Sequence, residues 1–197
     1  MAVDTARAEH AVREFLAALG VEADAAGMEK TPMRVAKMYG YLFGGIGREP
    51  AEAFSEPIEA GSSGLVAVQG IPFFSMCEHH LVPFFGTVDI VYQPHGGRIA
   101  GFTHFVEAVE IAAHRPQLQE RLTHDIAAAV QRGLGAEGVL VVCHARQLCM
   151  TLREGGTYGT ETITSETGGA FADPVRVQQA WALLKPPTTT NRGDTIE

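Results

Sequence analysis

Basic residues, cysteines and long apolar runs are all scarce in this chain, and each shortage closes off a class of function. Fifteen Lys and Arg stand against 23 Asp and Glu in 197 residues, a formal net charge of −8 at pH 7. That balance argues against nucleic acid or an anionic membrane as a partner, because both are bound through clustered cations. No apolar stretch approaches the roughly 20 residues that a membrane helix needs. Met1 to Gly20 has neither a basic start, an apolar h-region nor a small-residue cleavage site, so a cytoplasmic protein is expected. The 3 cysteines are an odd number, ill suited to a disulfide framework, whereas a reducing compartment leaves thiols able to bind metal. Repeats, like-charge runs and phosphate loops are missing too. Gly44-Gly45-Ile46-Gly47 lacks the Lys and Ser or Thr of a P-loop and reads as a helix-ending turn.

What is present describes an ordinary globular domain, with 46% apolar and 19% charged residues. Ala8, Ala11, Val12, Phe15, Leu16 and Leu19 recur at helical spacing, and Thr31-Pro32 opens a second helix running to Gly44. These helices form an N-terminal arm, residues 1–60. Strand texture follows over 65–74, with Pro72 marking an edge or irregularity, and again over 84–92, closed by Pro94 to Gly97. Helices are expected over 103–113 and from Pro116 to Gly133, the latter with Leu118, Leu122, Ile126 and Val130 on one stripe. Strands through Cys149 and over 157–165 complete a four-stranded antiparallel sheet with two inserted helices, an α+β domain over 61–184. Trp181, Val177 and Leu184 read as a short helical stripe on the body. The tail 185–197 has little to bury and is expected to be disordered.

The chemistry concentrates at Cys77-Glu78-His79-His80. Cys77 and His80, three apart in a turn, can share one ion. A zinc site with three protein ligands keeps a fourth position for a water whose pKa the metal lowers to about 7. His79 between them is free to move protons. A C-x-x-H step alone is weak, and a lone strand cysteine is more often core than ligand. Alternation along Val139 to Cys149 puts Gln147 and Cys149 on one face and His144 on the other. Cys143 lies about 20 Å from Cys149 along an extended strand and reads as core. His114 and His124 read as solvated or capping residues on helices.

Four segments in this order, Lys30 to Tyr39 (KTPMRVAKMY), Ser75 to Val82 (SMCEHHLV), Arg115 to Thr123 (RPQLQERLT) and Gln147 to Met150 (QLCM), with Arg153 and Gly168-Gly169, resemble GTP cyclohydrolase I. The resemblance implies the tunnelling fold, in which sheets of several subunits join into barrels, as a homo-oligomer that is usually a decamer with active sites between subunits. It implies Zn2+ held by Cys77, His80 and Cys149, with His79 as catalytic acid/base. Gln119 and Glu120 would grip a guanine ring, Glu120 by accepting two hydrogen bonds from an N–H and amino edge. Without the resemblance, both would pass for a solvated helix start.

This sequence departs from the family pattern in two places. Gln147 stands where a second catalytic histidine is usual, and an amide cannot titrate near neutral pH. Thr103, His104 and Glu107 replace the Ser, Lys and Arg of a phosphate grip. A carboxylate at about 4 Å from another anion costs roughly 4 kcal/mol at an effective dielectric near 20. Arg153 and Arg34 remain as family anion-binding positions. The expectation is therefore a diverged zinc hydrolase that opens a guanine-type ring at C8, acting on a guanine or pterin substrate with fewer phosphates than GTP, and able to stop after ring opening. The alternatives are an ordinary GTP cyclohydrolase I, making dihydroneopterin triphosphate and formate, and a non-catalytic pterin- or protein-binding scaffold.

Overall fold

In the computed structural model, which describes residues 3–61, 63–152 and 159–184, the polypeptide is an α+β chain built on one mixed sheet. Helix α1 (Thr5–Ala18) begins at Asp4, whose carboxylate accepts from the Arg7 amide at 3.0 Å. Helix α2 (Thr31–Leu42) carries Pro32 in its first turn, where no backbone donor is lost. The two pack on each other, yet α1 buries none of its residues.

Strand β1 (Ile58–Glu59) pairs with β4 (Arg98–Ile99) in a small separate ladder. Strand β2 (Val66–Cys77) runs antiparallel to β3 (Pro83–Gln93), with a register shift between Val68 and Ile71 where Gly70 takes φ +72. The irregularity expected at Pro72 thus falls just before it. Helix α3 (Phe102–Ala113) follows, then β5 (Pro116–Gln117), helix α4 (Gln119–Leu134), strand β6 (Gly138–Gln147), the single helical turn α5 (Leu148–Thr151), strand β7 (Thr162–Gly169) and helix α6 (Pro174–Leu183).

Three expectations need correction. The sheet has five strands, in the order β5-β2-β3-β6-β7, and is mixed, because Pro116-Gln117 pairs in parallel with Met76-Cys77. Extended backbone there delays α4 to Gln119. Strand β6 stops at Gln147, so Cys149 sits on a helical turn. Val177 and Leu184 pack on the body as expected, but Trp181 is 42% exposed, and Ala180 takes its place, buried against Val91, Leu140 and Val142. The anticipated tail lies outside the described residues.

Helices α3 and α4 cover one face of the sheet. The α4 stripe Leu122, Ile126, Val130 and Leu134 is fully buried, each side chain contributing about 1.5–3 kcal/mol. Gly135 ends this helix in the left-handed region at φ 63. The opposite face of β6 is covered at one end by α6, and at its other end His144 lines a pocket with Phe85, Thr87 and Arg146.

Candidate metal centre and its cleft

β2 ends at Cys77, and the chain reverses to begin β3. Cys77 N–H donates to Val82 O at 3.0 Å and Leu81 N–H to Cys77 O at 2.8 Å. Leu81 takes φ 51, a conformation that costs an L residue about 1–2 kcal/mol, and its carbonyl is held by the Tyr39 hydroxyl of α2 at 3.2 Å. Glu78 N–H donates to Gln117 O at 3.0 Å. The Glu78 carboxylate accepts two bonds from Arg121 of α4, at 2.6 and 3.2 Å, and that guanidinium holds its pKa below the usual 4.5. The turn is clamped from three sides.

Cys77 Sγ and His80 Nδ1 stand 3.9 Å apart on this turn. The α5 turn delivers the third donor, so that the ligand atoms of Cys77, His80 and Cys149 all lie within 4.8 Å of one another. Bonds of about 2.3 Å to sulfur and 2.1 Å to nitrogen place tetrahedral zinc ligands some 3.5–4 Å apart. Two sulfurs and one imidazole at this spacing fit zinc with one position left for another ligand. Cys143, by contrast, is fully buried, with its thiol pushed up to about 12 by desolvation, as an inert core group.

Beside this group opens a cleft of about 580 Å³, counting the part continuous with solvent, lined by Cys77 and Cys149 together with His79, Gln119, Glu120 and Gln147. His79 is exposed, its ring crossing that of His80 at 81° with centroids 6.0 Å apart. Because β5 delays the helix, Gln119 and Glu120 form the first residues of α4, facing the Cys77 turn. Glu120 is exposed, and no described residue hydrogen-bonds its carboxylate. Gln119 is 3% exposed; its Nε2 donates to Cys143 O at 3.1 Å and Thr162 O at 2.9 Å. Its Oε1 accepts from Gln147 Nε2 at 2.7 Å.

The remaining expected site residues lie elsewhere. Thr103, His104 and Glu107 occupy the first turns of α3 and do not line the cleft. Glu107 is bonded by Arg48 at 3.0 Å, so its charge is offset within the chain and the bare repulsion anticipated for it is weakened. Arg34 is exposed on α2, and Arg153 lies outside the described residues. His144 faces away from the cleft, 3.8 Å from Asp89, as alternation requires. His124 is exposed, 3.6 Å from Glu166.

Sequence reasoning missed the residues that hold this site in shape: Tyr39, Gln117 and Arg121. Gln117 is fully buried, donating to Ala112 O at 3.3 Å and Asp125 Oδ2 at 2.9 Å and accepting from Leu118 N–H at 3.2 Å. The signal available was an amide flanked by Pro116 and Leu118, a polar residue inside an apolar stripe.

Comparison with known proteins agrees with this geometry. The family model for GTP cyclohydrolase I matches residues 8–185. A protein of Halalkalibacterium halodurans described as GTP cyclohydrolase 1 is 45% identical over 184 residues, covering 93% of this chain and 98% of that protein. One of Streptococcus agalactiae with the same description is 44% identical over 165 residues, 84% of this chain and 88% of the relative. Among solved structures, the apo form of archaeosine synthase QueF-Like aligns over 55% of this chain and 97% of that chain, with 19% identity and a TM-score of 0.45, too remote to bear on function. With a family match over nearly its whole length and relatives this similar, the chain belongs to the GTP cyclohydrolase I family.

Proposed function

We propose that this protein is a zinc-dependent cyclohydrolase that opens a guanine-type ring at C8. The observation that carries the reading is the convergence of two thiols and one imidazole, within 4.8 Å, on a cleft that also holds a free histidine and a free carboxylate. Cys77, His80 and Cys149 would hold the zinc, which supplies a Lewis acid that lowers the pKa of water in its open position to about 7. Glu120 is unengaged and fits the N–H and amino edge of guanine, where two charge-assisted bonds fix the ring. His79 is exposed at the same cleft, where imidazole can take a proton from the attacking water and return it to the departing ring nitrogen. The clamp through Tyr39 and Arg121 keeps the turn that carries both histidines from drifting.

The tunnelling fold and a homo-oligomer, a decamer by family resemblance, complete the proposal, with 1–60 as an arm and 61–184 as the catalytic domain. The protein works in the cytoplasm on a small molecule. A second reading concerns the substrate's phosphates. Thr103, His104 and the Arg48-paired Glu107 leave the start of α3 without the fixed cations a triphosphate requires, which favours fewer phosphates than GTP. Incubating the zinc-loaded protein with GTP, GMP, guanosine and guanine, and following the ultraviolet spectrum and formate, tests both readings. Loss of the guanine chromophore in any of them supports the cyclohydrolase. Rapid conversion of GTP to a pterin triphosphate, with the others inert, overturns the second reading and leaves the ordinary enzyme.

A further inference from the structure

The amide pair Gln119–Gln147 is oriented by its surroundings, and that orientation has chemical content. The Gln119 nitrogen has two hydrogens, and both are taken by backbone carbonyls, those of Cys143 and Thr162. Reversing this amide would press its oxygen against two other oxygens inside a buried site, at the cost of unpaired polar atoms. Its Oε1 is therefore fixed toward residue 147, which must answer with a donor. Gln147 does so through Nε2 at 2.7 Å, which leaves its own Oε1, bonded to no described residue, on a side chain whose residue lines the cleft.

A neutral histidine at this position would meet the same demand, giving one ring N–H to Gln119 and presenting its bare nitrogen to the cleft. Gln147 reproduces that polarity without the basicity. It offers an acceptor in the same direction, yet takes no proton at neutral pH.

We propose that Gln119 is a positioning residue, which acts through Gln147 to hold a carbonyl oxygen toward the cleft as an acceptor for an N–H of the ring-opened formamide. The proposal rests on the cyclohydrolase reading. In the opening step, water adds to C8, the C8–N9 bond breaks, and N9 takes up a proton, giving a formamide on N7 and an N–H on N9. No oxidant or reductant is required. Both product N–H groups are donors that the intact imidazole lacks, so an acceptor at Gln147 favours the opened form. Release of formate needs a second water and further proton transfers, which Gln147 cannot serve. With His79 as the one proton-transfer group assigned to the cleft, the opened formamide is expected to accumulate ahead of formate release.

The test uses the full-length zinc-loaded protein with GTP and GMP and the formamidopyrimidine of each. Binding is measured by calorimetry, and single-turnover reactions are assayed separately for formamidopyrimidine and formate. For the wild type, ring opening outpaces formate release at least tenfold. Gln147→His raises formate release at least tenfold while keeping formamidopyrimidine affinity within threefold. Gln147→Met weakens formamidopyrimidine binding about tenfold, the loss expected for one hydrogen bond, and leaves nucleotide binding within threefold. Gln119→Met gives the same loss, and adding it to Gln147→Met costs nothing more, the signature of one residue acting through the other. Additive losses, or a Gln119→Met variant that loses nucleotide and formamidopyrimidine binding alike, would show direct ring contact and overturn the proposal. Should the Gln119 variants not fold, formate released as fast as the ring opens in the wild type, unchanged by Gln147→His, overturns it instead. Failure of every variant to open any ring refutes the underlying reading, while the binding cycle still reports on the amide pair.

Discussion

His79 and Glu120 differ from their polar neighbours at the cleft in being uncommitted. Gln119 and Gln147 spend their amides on each other and on the backbone, Glu78 is tied to Arg121, and the sulfurs of Cys77 and Cys149 and the His80 ring converge into a group able to hold a metal. The roles proposed for them, moving protons and gripping a substrate, need that freedom. Replacing His79 by Asn preserves shape and removes proton transfer; turnover should fall by about 10²–10⁴ with zinc content unchanged. Equal activity in the variant would assign the proton transfers to another group. Away from the cleft, His114 closes α3 against Tyr41, and burial, outweighing the attraction of Glu110, lowers its pKa below 6.5. Between 6.5 and that lower folded value the unfolded chain takes a proton the folded chain refuses. His114 therefore supports the fold fully above pH 6.5, and its contribution shrinks as pH falls through the window. Thermal melts at pH 7.5 and 5.5 should show a larger drop for the wild type than for His114→Gln.

β3 and β6 lie between the turn after β2 and the α5 turn that together carry the site, and their contact is close. A Cβ added at Gly86 would collide with the His144 carbonyl oxygen of the neighbouring strand, in backbone that cannot step aside. Gly86→Ala should destabilise by about 1–3 kcal/mol or more, read as a shift in the urea midpoint, and an unchanged midpoint would mean the strands part more easily than their register implies. Much of this layer was legible in the sequence, because alternation and helical spacing report burial directly. The convergence of Cys77, His80 and Cys149 on one spot was legible from residue chemistry, together with the family motifs. The mistakes fell where tertiary contacts override local pattern. Pro116-Gln117 looks like a helix start but is drawn into the sheet by Met76 and Cys77, and β6 gives way to a helical turn one residue past Gln147. The Arg48–Glu107 pair joins residues that no local window spans.

Among the described residues of the single chain, β7 has no strand on its outer side, and β5 covers only Met76 and Cys77 of the long β2. Phe15 is 64% exposed on the arm and Phe74 and Ile163 are 58% and 57% exposed on the sheet, apolar surface of the kind that subunit contacts cover. Native mass spectrometry should find a multiple of 21.1 kDa, ten copies by family resemblance, and a stable monomer would contradict the assembly. The account as a whole stands on the metal-dependent cleft. Its most direct test is ring opening of guanine nucleotides by wild-type and Cys149→Ala protein, followed at 1:1 zinc in one assay. The account predicts chromophore loss by the wild type, abolished by chelation and restored by zinc, with none from the variant. Ring opening that survives both chelation and loss of Cys149, or its absence from the zinc-saturated wild type, would contradict it.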